Sequence, residues 1–363
     1  MAARRLKKGF TTGAAAAAAV KAALTALFSG QAPEEVTITF LTGQTRVIPV
    51  HNLSMASRSQ CSATIIKDAG DDPDITHGAE IGARVTLKQI SKPVQISIHG
   101  GQGIGRITKP GLELPVGEAA INPGPRTMIE NEAREILKAF GVSRKHIEII
   151  LFAPEGETLA RKTLNARLGI LGGISILGTT GVVTPMSHEA YIATIRAGID
   201  VAAAGKAETL VFTTGRRSER FAMTLFGEYP KEAFIQTGDF FKAALEAAVQ
   251  RKEINTIVYA VFFGKAVKMA LGHAHTHAAR SELTLDTLAE WARRVTGEQD
   301  LALKILNSNT ARHAFSYIYP DYPGLLTHVA EQMIQSAMRF SDNRLGFRVV
   351  IFDFDGNVAC DLL

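Results

Sequence analysis

Cysteine is nearly absent: Cys61 and Cys360 are the only two in 363 residues, far apart and outside any CxxC spacing. That excludes a disulfide framework and a zinc ribbon, and it fits a reducing cytoplasm. Beyond the N-terminal segment no run of eighteen or more uncharged apolar residues occurs, which argues against a membrane span. Charge of one sign is not in large excess either. Forty Lys and Arg stand against 35 Asp and Glu, a net charge of +5, and the basic residues are scattered apart from the RRLKK run at positions 4–8. Such a balance suits an acidic small ligand better than a nucleic acid. There is no repeat of fixed period, no low-complexity linker and no GxGxxG fingerprint opening a helix.

What is present is a chain longer than one core usually grows, so two domains are expected. With 46% hydrophobic and 21% charged residues, it has the composition of a packed globular protein. The basic start followed by alanines imitates a secretory signal. A helix from about Gly13 to Phe28 is the simpler account, because Thr11 and Thr12 are N-cap residues, Lys21 interrupts the apolar run and Gly30 sits where a C-cap belongs.

Up to about residue 140 the pattern is mixed. Short alternating segments (VTITF, TRVIPV, SATIIKDAG, GARVTLKQI, VQISIHGG, GRITKPG) precede a helix expected at 126–140. TGQ makes a hairpin turn between the first two. From Lys145 the rhythm becomes apolar strand, glycine-containing turn, helix. IEIILFAP, ISILGTTG, TLVFTTG, AFIQTGD, TIVYAVFFG and VVIFDFDG are the strands; helices are expected at about 187–204, 239–252, 284–296 and 322–340. The fold class is therefore an α+β N-terminal domain, residues 1–143, followed by an α/β, doubly wound, Rossmann-like domain with a mainly parallel sheet, residues 144–363. Ligands of such sheets sit outside the carboxyl ends of the strands.

Several segments carry chemistry. GGISILGTTGVV sets glycines and threonines where backbone amides could face a ligand, or forms an ordinary turn. HGGQGIG leads into an extended segment and reads as a loop. DDPDITHG gathers Asp71, Asp72, Asp74 and His77, either for proton transfer or as a solvated turn. His273, His275 and His277 alternate, as a metal site could use, but without a companion carboxylate or cysteine at a recognised spacing. Arg216, Arg217 and Arg220 follow FTTG and could neutralise carboxylates or simply lie at the surface. VVIFDFDG resembles a phosphatase strand, yet only seven residues follow Gly356, so Asp353 and Asp355 are expected to end a core strand.

Taken together, GFTTGAAAAAAVKAAL, DDPDITHG, GRITKPGL, GEAAINPGPRTMI, LNARLGILGGISILGTTG and GKAVKMALG resemble, in order and spacing, the cobalt-precorrin-5B C1-methyltransferase family of anaerobic cobalamin biosynthesis. Ala14 and Ala15 stand where many members carry Thr-Cys, which excludes a cysteine nucleophile there. Of the histidine-rich stretch, Thr276, His277 and Arg280 carry over.

The resemblance implies methyl transfer from S-adenosylmethionine to a cobalt-bound tetrapyrrole, the cobalt arriving with the substrate and no metal held by the protein. On it, the cofactor is placed at Gly173, Thr179, Thr180, Gly181, Gly215, Gly238 and Asp239. The macrocycle is placed in a cleft between domains, against Thr11, Thr12, Arg106, Lys109, Arg126 and His277. Asp72, Asp74 and His77 are the proton-transfer candidates. The expected partner is the small-molecule tetrapyrrole alone, with no nucleic acid or membrane, and a homodimer is compatible. The alternatives are a non-catalytic tetrapyrrole carrier and a phosphotransferase built on Asp353.

Overall fold

The computed structural model describes residues 6–277 and 285–363. Two compact units divide at Ser187/His188. The first begins with β1 (Gly9–Phe10), α1 (Thr12–Ser29), the hairpin β2 (Glu35–Thr39) and β3 (Thr45–Pro49), then β4 (Asn52–Ser57) and β5 (Gln60–Ile66). It continues with β6 (Glu80–Lys88), β7 (Gln95–Gly100), β8 (Arg106–Ile107), α2 (Pro123–Ala139), β9 (His146–Phe152), α3 (Gly156–Ala160), β10 (Ile170–Leu171) and β11 (Val182–Val183). A five-stranded sheet runs in the order β4-β5-β6-β9-β7, antiparallel except for the β7–β9 pair.

Helix α1 forms because Thr11 caps it, its hydroxyl accepting from the Ala14 amide, while Gly30 closes it in the left-handed conformation at φ 74°. Its alanine face is too small to hold partners off, so α2 and strands β5 and β6 pack directly on it, and Ala14 to Ala19 are fully buried. The helix is long and apolar enough to cross a membrane by composition, but it is the core helix of this unit.

The second unit comprises α4 (His188–Ala204), β12 (Thr209–Thr213), α5 (Arg216–Leu225), β13 (Phe234–Gln236), α6 (Phe241–Val249), β14 (Thr256–Phe262) and α7 (Phe263–Ala270). After these come α8 (Leu285–Thr296), α9 (Gln299–Leu306), α10 (Ala311–Ile318), α11 (Pro323–Phe340), β15 (Gly346–Phe352) and β16 (Val358–Leu362). Its sheet has the order β13-β12-β14-β15-β16, parallel except for β16. The near-continuous apolar run of β14 buries both faces. Leu210, Phe212, Ile257, Tyr259, Val261, Val349 and Ile351 enter a large core with α4, α6, α7 and α8–α11. Val211, Val258, Ala260, Val350 and Phe352 face a smaller one under α5.

Two expectations change, and one strand is added. IEIILF is β9, a central strand of the first unit, because it pairs with β6 over seven residues; the change of rhythm at Lys145 therefore lies inside that unit, not at its boundary. ISILGTTG is no strand of the parallel sheet: its segment makes only short bridges, to β1 through Val182 and Val183 and to Ile104 and Ile121. NLSMAS, which the sequence reading passed over, is the edge strand β4, five of its six residues exposed.

Candidate functional site

In the second unit β12 connects to β13 on one side and the chain then crosses to β14 on the other, so successive parallel strands are added on opposite sides of β12. A crevice is expected beyond the carboxyl ends of those strands. Gly215 ends the first turn and caps α5; a side chain there would meet nothing within 4 Å. Thr213, the last residue of β12, is fully buried, and among the described residues its hydroxyl has no hydrogen-bond partner. On the neighbouring strand end, the Thr237 amide and hydroxyl both donate to the Thr213 carbonyl, at 2.8 and 3.2 Å.

Asp239 follows β13 and is held by three groups. Lys265, from the first turn of α7, pairs with its carboxylate; the Thr276 hydroxyl donates to the same oxygen at 3.0 Å, and the Thr276 amide to the Asp239 carbonyl at 2.9 Å. Burial alone would push the Asp239 carboxyl up, but the Lys265 ammonium and the Thr276 hydroxyl outweigh it and hold the group below the ordinary carboxylate range. Lys268, one helical turn from Lys265, also donates to the Thr276 carbonyl, at 3.3 Å. Its ammonium is pushed down by burial and by the neighbouring Lys265 charge. Around this cluster Tyr191 stacks on Phe240, with centroids 5.1 Å apart, and the His275 ring meets Phe240 edge-on at 4.8 Å and stacks on His188 at 5.2 Å. Among the described residues no three metal-ligating side chains converge.

The residues proposed to seat a cofactor thus separate. Gly215, Gly238 and Asp239 lie at adjacent strand ends of the second unit, whereas Gly173, Thr179, Thr180 and Gly181 belong to the first. Close packing explains the glycines there: a side chain at Gly173 would sit 2.0 Å from the Gly103 carbonyl oxygen, and one at Gly181 would meet the Phe40 ring at 2.7 Å. Thr180 hydrogen-bonds to Val182 through its own hydroxyl, and Thr179 is exposed.

Several substrate candidates also have structural duties. The Thr11 hydroxyl caps α1, and the Thr12 hydroxyl accepts from the Leu177 amide at 2.9 Å; both residues are buried. Both hydroxyls thus fasten α1. Arg126 donates to the carbonyls of Ile121 and Ile98, at 3.0 and 3.2 Å, and lies 3.7 Å from Glu118, so its guanidinium braces the loop before α2. Arg106 donates to the Gly117 carbonyl. Lys109 packs its stem beside Gly169, and His277 is exposed next to the Asp239 cluster. Arg280 lies outside the described residues.

DDPDITHG forms a braced loop. Asp74 pairs at 2.5 Å with Lys67, whose side chain is 1% exposed, and accepts from the Thr76 amide and hydroxyl, both at 2.7 Å. Burial would raise its pKa, but Lys67 and Thr76 together lower it. Asp72 accepts from the Met186 amide at 2.9 Å, and His77 accepts from the Ala69 amide through Nδ1 at 3.0 Å, which puts the neutral ring's proton on Nε2. Asp353 accepts from three successive amides and from the Asn357 side chain, so its carboxylate closes a turn.

Sequence reasoning passed over Lys67, Tyr191, Lys265 and Lys268. GKAVKMALG held the signal for the last two: lysines three apart share one helix face, directly after an apolar strand.

Residues 1–185 match the family described as CbiD, and residues 275–361 match CbiD, C-terminal domain. A Geobacillus sp. (strain WCH70) protein named cobalt-precorrin-5B C(1)-methyltransferase is 45% identical over 308 residues, 85% of this chain and 83% of its own length. A Salinispora arenicola protein of the same name is 40% identical over 355 residues, 97% of this chain and 91% of its own. A crystal structure of cobalamin biosynthesis protein (cbiD) from Archaeoglobus fulgidus is 25% identical, with a TM-score of 0.39, covering 71% of this chain and 78% of that one.

Proposed function

The chain belongs to the CbiD family, and from that premise we propose that it is the C1-methyltransferase acting on cobalt-precorrin-5B, with S-adenosylmethionine as methyl donor. The observation that carries the reading is the 40% identity to a cobalt-precorrin-5B C(1)-methyltransferase over 97% of this chain. The product is the C1-methylated cobalt-precorrin-6A, and the cobalt belongs to the substrate. The enzyme works in the cytoplasm on a small molecule, without nucleic acid or membrane.

The donor's place in this reading is the crevice beyond β12, β13 and β14. The finer description of the second unit as Rossmann-like and doubly wound rests on its strand order, which turns back between β12 and β14. The residues fit a donor with hydroxyl, ammonium and adenine groups. Gly215 leaves room beside the backbone, the buried Thr213 hydroxyl lacks a partner among the described residues, and Tyr191 offers a ring face. Asp239, kept ionised by Lys265, accepts from donor hydroxyl or ammonium hydrogens. When bound, the donor supplies an electrophilic methyl group to the ring carbon. The chain's contribution is to hold two partners in line at near-attack distance, which is worth several orders of magnitude in rate. Among the proton-transfer candidates, Asp74 is a positioning group, because taking a proton would cost it the Lys67 pair; His77 is the exposed member and keeps the role in this proposal.

Asp239→Asn is expected to weaken donor binding about tenfold by calorimetry, since it removes a charged acceptor, and to leave corrin affinity unchanged. Wild-type protein that binds the corrin but not the donor would be a carrier and not this enzyme.

A further inference from the structure

At the carboxyl end of β15 the chain turns through residues 353–357 beside a cavity of about 660 Å³ lined by Arg312, His313, Phe315, Tyr319, Phe354 and Asp355, among others. Phe354 is one of the rings that line it. Phe354 lies nearly parallel to Phe262, the last residue of β14, at 3° and 5.9 Å between centroids. Two guanidinium groups rest on this pair of rings. Arg312, from the first turn of α10, lies 4.4 Å over Phe354, and Arg217, from the first turn of α5, lies 5.4 Å over Phe262 and donates to the Phe354 carbonyl. Both arginines are exposed, and among the described residues Arg312 makes no ion pair.

A guanidinium stacked on a ring uses its face for that contact and keeps its in-plane N–H fork, the geometry that grips a carboxylate with two bonds. The stacking also fixes the side chain in advance, so less rotamer freedom is lost on binding. Of the two nearby carboxylates, Asp353 is already satisfied by the turn, and Asp355 is exposed at the cavity wall, where it opposes an anionic ligand.

Resting on the methyltransferase reading, we propose that this shelf recognises peripheral carboxylates of the corrin substrate, with Arg312 and Arg217 as positioning residues on a shared pair of rings. Arg312 offers its fork at the cavity and Arg217, whose guanidinium also holds the Phe354 carbonyl, adds a second positive charge beside it, which suits a ligand that carries several carboxylates. The donor, by contrast, carries one carboxylate beside an ammonium and a sulfonium.

The test is an absorption titration of the full chain with a cobalt corrin bearing free peripheral carboxylates, and with the same corrin esterified. Wild-type protein is expected to bind the acid at least tenfold more tightly than the ester. Arg312→Ala should lose about tenfold toward the acid and nothing toward the ester, and Arg312→Lys should recover only part, because a point charge lacks the planar fork. Asp355→Asn should tighten acid binding about two- to threefold, a sign that a merely structural role would not produce. Donor affinity by calorimetry should stay constant throughout. Equal binding of acid and ester by wild type, unchanged acid binding in Arg312→Ala, weaker binding in Asp355→Asn, or a parallel loss of donor affinity would each overturn the proposal. Wild type that methylates its corrin while Arg312→Ala binds it normally sinks this inference alone; wild type that transfers no methyl group sinks the reading beneath it.

Discussion

Glu132→Ala is expected to destabilise the first unit by about 3–5 kcal/mol, the cost of breaking a buried ion pair by removing one partner. Glu132 lies on α2 with a side chain 1% exposed, 2.7 Å from the ammonium of Lys21 on α1. Its other oxygen accepts from the Thr39 amide of β2, also at 2.7 Å. One residue therefore ties α1, α2 and the β2–β3 hairpin together. Alanine would leave Lys21 with only Glu135, which is more than half exposed.

Burial alone would lower the Lys21 pKa, but Glu132 and Glu135 outweigh it and raise it. A raised folded-state value means that the stabilisation is complete below the unfolded lysine pKa of about 10.4 and is lost as pH rises through the folded value. The full penalty should accordingly be seen at neutral pH. Hydrogen exchange of the α1 and β5 amides, with the denaturation midpoint, measures it. The paired replacement Lys21→Met with Glu132→Leu should recover only part of the loss, since two apolar groups need no ionic partner but the Thr39 amide still loses its acceptor. A single variant within about 0.5 kcal/mol of wild type, the scale of an ordinary surface substitution, would refute this account of the helix seam.

Asp74→Ala is the second large effect, again about 3–5 kcal/mol, because it strands the buried ammonium of Lys67. The pH dependence has the opposite sense. The Asp74 pKa is lowered in the fold, with burial opposing and Lys67 and Thr76 prevailing. Its stabilisation is therefore present above the unfolded aspartate value of about 3.9 and disappears as pH falls through the lower folded one. The gap between wild type and variant should be flat from pH 5 to 8 and narrow below about pH 4. A gap that instead widened in acid would show that Asp74 is folded in its protonated form, reopening its use as a proton donor.

Most of the helices were legible in the sequence because their ends are chemically marked. Thr11 and Gly30 bound α1, and Pro123 and Gly141 bracket α2. The strands of the parallel sheet were legible because both faces are covered and their apolar runs are unbroken. The domain boundary was not, since β9 has the same apolar character as those strands and only its pairing with β6 reveals where it belongs. The glycines misled for a related reason. Gly173 reads as a ligand-facing turn and Gly103 as a loop, and in the fold the two backbones touch. Composition cannot tell space made for a ligand from space made for another strand. Asp239 was legible as a polar residue after an apolar strand, whereas its partner Lys265 becomes visible only once β14 lies in the same sheet.

These results divide the chain's polar residues into two groups. Lys21, Glu132, Lys67, Asp74, Thr11 and Thr12 hold the first unit together. Asp239, Lys265, Thr213 and Gly215 gather at the carboxyl ends of strands in the second. The most direct measurement is incubation of the full chain with methyl-labelled S-adenosylmethionine and cobalt-precorrin-5B, followed by mass spectrometry of the pigment. The expected result is a pigment carrying one added, labelled methyl group at C1. Recovery of bound but unlabelled pigment, with the donor unconsumed, would contradict it.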